Sequence, residues 1–186
     1  MKNSHPMMSW VALLIVLSGL IYAQPKPGED EVMAAYLYNF GKFVRWPERA
    51  TAEEPPFSVC VLGKDPFGKT LDTILENGSW QGKPVGAKRI VTVDDAAECN
   101  VLFISSSESE KLDQILPALV NRPILTVSDA SRFARRGGII EFVLKENRVR
   151  FEVNSGAAEK AGLDLNSQLL KIAIRVRQTT QVGAHR

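Results

Sequence analysis

Short apolar runs alternate with amphipathic stretches from Phe57 to Val127, and this alternation organises the chain. Phe57-Ser58-Val59-Cys60-Val61-Leu62 reads as a strand. The stretch from about Pro66 to Glu76, with Phe67, Leu71, Ile74 and Leu75 apolar, reads as a helix stopped by Asn77-Gly78. A second strand is best placed at Arg89 to Val93, and Val101-Leu102-Phe103-Ile104 is a third, its unbroken apolar character predicting burial on both faces. Glu108 to Val120 reads as a helix that Ser105-Ser106-Ser107 can cap, and Ile124 to Val127 as another buried strand. Strand and helix alternating in this way predict a mostly parallel sheet covered by helices.

The flanks carry different patterns. Before the first strand, Met33, Leu37, Phe40 and Val44 recur at helical spacing from Glu31 onward, and Pro47 ends that helix by pushing Trp46 out of helical geometry. Tyr36, Phe40, Phe43 and Trp46 form an aromatic stripe for which core packing is the plainer reading and ligand stacking the sharper one. After the last parallel strand, two runs pair around Glu146-Asn147. Setting Ile140 opposite Val153, Phe142 opposite Phe151 and Leu144 opposite Val149 puts six apolar residues on one face of a hairpin. Glu141, Arg150, Glu152 and Asn154 fall on the other, expected to meet solvent. Asn154 or Ser155 caps a short helix ended by Gly162, and a last helix from about Asn166 is expected to bury Leu169, Ile172, Ala173 and Val176.

At 45% hydrophobic and 24% charged residues the composition suits a folded domain, and a formal charge of +2 with no basic block excludes a nucleic-acid binder on electrostatic grounds. Lys2 followed by the apolar run Trp10 to Ile21 and by Ala23 has the form of a secretory signal, too short for a bilayer span. The expected organisation is therefore a signal peptide over 1–23, a linker over 24–30, one domain over 31–177 and a polar tail over 178–186. Export changes the meaning of the two cysteines, Cys60 and Cys99. In an oxidising compartment they most simply form one disulfide, with two separate buried thiols as the alternative.

Gly63 to Thr70 spells the G-x-x-x-x-G-K-T of a phosphate-binding loop. Such a loop works by curling consecutive backbone N–H groups around phosphates. Here the fourth position is Pro66, which has no N–H, and the fifth is the bulky Phe67. The expected role is a strand-to-helix turn with Pro66 starting the helix, and no nucleotide at Gly63–Thr70. The only histidines are His5 and His185, outside the expected domain body, which therefore lacks the commonest general base and metal ligand. Glu141 and Glu152 could approach on the hairpin, but facing charges on a strand surface usually just meet solvent.

Several stretches together resemble the YfiR-like family of periplasmic regulators over nearly the whole expected domain. They are Ala34 to Phe40 with Phe43-Val44-Arg45-Trp46-Pro47, Cys60-Val61-Leu62-Gly63 with Asp65-Pro66-Phe67, Leu125 to Asp129, Gly137 to Ile140, Val149 to Asn154, Ala157-Ala158, Ala161-Gly162-Leu163 and Ser167 to Lys171. The resemblance implies an α/β fold, a three-layer sandwich with helices on both faces of a mostly parallel sheet and a C-terminal antiparallel hairpin. It implies no catalysis, no cofactor and no metal. It also implies binding to the periplasmic domain of a membrane-bound diguanylate cyclase, which the protein would hold inactive, lowering cyclic di-GMP and biofilm formation; a homodimer is left open. Cys60 and Cys99 match a family disulfide, whereas a second cysteine pair found in some members near the hairpin is absent. The alternative function is a periplasmic small-ligand binding or sensor protein. Asn39, Arg45, Arg150, Glu152 and Asn154 are the candidates for contacts with ligand or partner.

Overall fold

Phe57, Val59 and Val61 point to one side of a strand and Ser58, Cys60 and Leu62 to the other, and all six are buried. A strand apolar on both sides must lie inside a sheet covered twice. The computed structural model, which describes residues 27–47 and 56–178, has that arrangement. The expected signal peptide, residues 24–26 of the linker and most of the tail lie outside the described residues, while Glu29 and Asp30, expected in the linker, open the first helix.

The elements in chain order are α1 (Glu29–Lys42), β1 (Val44–Arg45), β2 (Phe57–Leu62), α2 (Lys69–Glu76), β3 (Ser79–Trp80), β4 (Lys83–Ile90), β5 (Val101–Ile104) and α3 (Leu112–Leu119). They continue with β6 (Leu125–Ser128), β7 (Ile140–Lys145), β8 (Arg148–Asn154), α4 (Ser155–Lys160), β9 (Asp164–Leu165), α5 (Ser167–Ile172) and β10 (Arg175–Arg177). Eight strands form one sheet in the order β10-β8-β7-β6-β5-β2-β4-β3, parallel from β4 through β7, while β1 and β9 make a separate antiparallel ribbon.

The two faces of the sheet have different fillings. Residues of α1, α2, α4 and α5 join Val59, Val61, Phe103, Val127, Ile140, Phe142, Phe151 and Val153 in one core. The phenylalanines there meet edge-on or stacked, as with Phe40 and Phe151 at 5.0 Å between ring centres. Gly41 lets α1 lie flush on this face, because a Cβ there would come within 2.7 Å of the Phe57 ring. The opposite face packs Cys60, Leu62, Leu102 and Ile104 against α3 and Phe133. Cys60 and Cys99 are joined across this layer, their Cα atoms 5.8 Å apart. Helices on both faces give the expected three-layer sandwich.

The hairpin has the predicted register, Ile140 to Val153, Phe142 to Phe151 and Leu144 to Val149. Glu146 and Asn147 both have positive φ, the geometry of the tight turn that follows the twist of the strands. Its second face, expected to meet solvent, instead buries Glu141 and Asn154 beneath the segment from Ala130 to Arg136. Other differences have local causes. The second strand lies at Lys83–Ile90 rather than 89–93, since β2 runs out at Leu62 opposite Ile90 and Val91 is left 88% exposed. Helix α1 stops at Lys42 because Val44 and Arg45 pair with Leu165 and Asp164. Residues 106–111 form a 3-10 segment ahead of a shorter α3. The last helix ends at Ile172, and residues 175–177 add to the open edge of β8; of the four residues expected to be buried only Leu169 is, with Ile172 58% and Val176 42% exposed.

Candidate functional site

In a parallel sheet, ligands bind beyond the carboxyl ends of the strands, where neighbouring connections leave in opposite directions. Here that point lies between β2, whose chain continues to β4 on one side, and β5, whose chain continues to β6 on the other. The protein's own groups fill it. Ser107 Oγ accepts the Lys64 amide at 2.9 Å, and a Cβ on Gly63 would collide with that Oγ at 2.6 Å. Asp129 accepts the amide and hydroxyl of Ser106 at 2.7 and 2.8 Å.

The phosphate-loop pattern is closed in the same way. Asp65 Oδ1 accepts the amides of Phe67 at 2.7 Å and Gly68 at 3.3 Å, the donors that a phosphate would need. Arg89 clamps the turn from outside, donating to Asp65 at 2.9 Å, to both oxygens of Asp72 and to the Gly68 carbonyl at 2.7 Å. Hydrogen bonding to Asp72, with Asp65 adding to it, raises the Arg89 pKa above its ordinary value. Phe67 turns inward onto Phe103 at 4.7 Å. Helix α2 begins at Lys69, so Pro66 lies in the turn instead of opening the helix.

The five residues expected to contact a ligand or partner do not converge. Asn39 donates to Ala35 on its own helix, and Arg45 makes an exposed ion pair with Asp164 at 3.0 Å. Arg150, Glu152 and Asn154 alternate along β8 and face away from the layer that contains α1. Asn154 is a structural post, its Oδ1 accepting the Ala157 amide at 3.0 Å while Nδ2 donates to the Ala134 carbonyl at 2.8 Å. Glu141 accepts the amides of Arg132 and Ala134 at 2.8 and 3.0 Å. Glu152 is held by Arg177 at 2.8 Å and by Arg175 at 3.4 Å. Both hairpin carboxylates are thus engaged structurally, which removes the acid–base pair that their register suggested.

Two open features were missed by sequence reasoning. One is a cleft of about 450 Å³ at the amino ends of β2 and β5, lined by Trp46, Phe57, Trp80, Lys42, Arg45 and Asp164 among others. Its aromatic wall is continuous, with Phe57 lying 5.7 Å from Trp46 and 4.7 Å from Trp80. Nothing in the spacing of Trp46 and Trp80 signals their meeting. The other is the outer edge of β10. Ile172 and Val176 both fit a helical stripe, which hid the short strand at Arg175–Arg177.

Sequence comparison places the chain in a family. The profile of the YfiR/HmsC-like family matches residues 30–174. The chain belongs to the YfiR/HmsC-like family. YfiR-like proteins are periplasmic regulators of diguanylate cyclases rather than enzymes. Among the described residues no helix is long and apolar enough to cross a membrane. Two solved structures share the fold. A conserved domain protein from Vibrio cholerae O1 biovar El Tor is 12% identical with a TM-score of 0.53, and the match covers 80% of this chain and 60% of that one. An ABC domain from Streptococcus pneumonia, solved in complex with L-Trp, is 11% identical with a TM-score of 0.51, and the match covers 80% of this chain and 62% of that one. The YfiR/HmsC-like chain thus spans about three fifths of the length of either protein.

Proposed function

We propose that this protein is exported, loses its leader near Ala23, and represses an inner-membrane diguanylate cyclase by binding that enzyme's periplasmic domain. Repression would lower cyclic di-GMP and restrain biofilm formation. The observation that carries the reading is the closed crevice beyond β2 and β5, within a chain whose family regulates such cyclases. A fold that has filled its usual ligand position with Asp65, Ser107 and Asp129 is suited to act through its surface. Deleting the gene should raise cyclic di-GMP, and restoring it should bring the level back. Immobilised protein should capture the periplasmic domain of the cyclase. Unchanged cyclic di-GMP together with no capture would refute the proposal.

The cleft beside Trp46, Phe57 and Trp80 favours a second reading, a sensor for a small planar molecule. A thermal-shift screen of periplasmic metabolites separates the two, since a ligand that binds only the native state must raise the midpoint. A Trp80→Ala variant should then lose that shift.

A further inference from the structure

After α5 the chain pairs with β8 from Ile174, whose amide donates to the Phe151 carbonyl at 3.0 Å, and Ile174 and Val176 lie on one side with Arg175 and Arg177 on the other. Among the described residues β10 pairs only with β8, so its other edge is open. The parallel register sets Val176 beside Val153, on the apolar side of the sheet. Ile172 is 58% exposed and Ile174 and Val176 each 42%. Across β8, Leu144 pairs with Val149 on that same side and is 56% exposed. Ile174 and Val176 therefore leave a short, partly exposed apolar stripe along the sheet edge.

Charge lies on the other face of the same strands, where Arg150, Arg175 and Arg177 stand against Glu152, and the exposed Lys171 leads into β10, a local excess of three positive charges. Glu152 is already bound to Arg175 and Arg177. A second copy would bring like charges together across the contact. An anionic lipid surface would suit the charge but could not satisfy the backbone groups of an open strand edge. The projecting residues are β-branched, the type that packs between strands, rather than the Trp and Tyr that settle at lipid interfaces.

We propose that β10 is the docking edge for the regulated protein, which adds an extended segment, apolar at alternate positions and flanked by Asp or Glu, alongside Arg175–Arg177. Main-chain pairing would supply affinity, and the stripe with the basic face behind it would supply specificity. The inference rests on the regulatory reading above and gives that reading a surface.

The test titrates the purified protein with the periplasmic domain of the cyclase by calorimetry at low and high salt. Ile174→Glu combined with Val176→Glu should weaken binding by roughly tenfold or more, as expected for residues central to an interface. Lys171→Glu lies outside the strand and guards against a folding defect in the double variant; it should weaken binding severalfold and flatten the salt dependence. Val91→Ser, just past β4 at the other end of the sheet, should bind as the native protein does. Native affinity in both the double variant and Lys171→Glu would overturn the docking edge and leave the regulatory reading standing. No binding by the native protein would overturn both. Binding of phosphatidylglycerol vesicles that these variants abolish, with cyclase binding untouched, would assign the edge to lipid and also overturn it.

Discussion

The carboxyl ends of β2 and β5 and the outer edge of β10 are both places where a sheet can meet another molecule, and they are built in opposite ways. At the first, loop amides are answered within the chain, by Asp65, Ser107 and Asp129, and Arg89 ties the turn to α2. At the second, a three-residue strand is anchored through Glu152 while its Val176 and the preceding Ile174 stay partly exposed. The difference teaches where stability and recognition reside. Filling the ligand position stabilises the fold and forgoes small-molecule chemistry there, while the edge adds little to the core and keeps its contacts for something else.

The comparison can be broken most forcefully at the disulfide, where Cys60 in the middle of β2 is tied to Cys99 just before β5. Replacing both cysteines by alanine should lower unfolding stability by about 4 kcal/mol, the loop-entropy value for a bridge of this span. Urea denaturation measures it. Affinity for the cyclase domain should be unchanged at temperatures where the variant is folded, and a parallel loss of affinity would show that the two regions are not separate. Next, Asp65→Ala leaves two loop amides and Arg89 without their carboxylate and should cost about 2 kcal/mol. By contrast, Ile174→Glu with Val176→Glu should change stability by no more than about 0.5 kcal/mol per site while affecting binding strongly.

A smaller effect sharpens the picture at the hairpin. Glu146 sits at φ 51°, where asparagine is far better tolerated, so Glu146→Asn should raise stability by about 0.5 kcal/mol in thermal unfolding. The smallest effect is in acid. The hydroxyl of Thr92, and then its amide, hold the Asp95 pKa below the ordinary carboxylate value. A depressed folded pKa adds stability above the unfolded value of about 4, and that stability is lost as pH falls through the folded value. Asp95→Asn should therefore give a shallower decline of the thermal midpoint below about pH 4.

The sequence made some of this legible and hid the rest for physical reasons. The hairpin register could be read because only one pairing puts Ile140, Phe142, Val153 and Phe151 on a single side. Pro66 argued against a phosphate, but the group that takes up the loop amides is its neighbour Asp65, whose hydrogen bonds depend on a turn that no periodicity encodes. Val91 to Val93 has the composition of a strand, yet pairing ends where β2 ends, and strand length is set by the neighbour. Val176 failed for the opposite reason, since a helical stripe from Leu169 also reaches it and only the vacant edge of β8 decides for a strand. The polar hairpin face was misjudged because cover by residues 130–136 is a tertiary event, invisible in the alternation of β7 and β8.

The bond between Cys60 and Cys99 also closes the chain into a ring that carries α2, β3 and β4. A protease that cuts once inside that ring, for instance at the exposed Gln81-Gly82 turn between β3 and β4, creates two polypeptides but releases neither. The nicked molecule keeps its full mass until a thiol is added, and a periplasmic protein built this way can survive a wound that would divide its reduced counterpart.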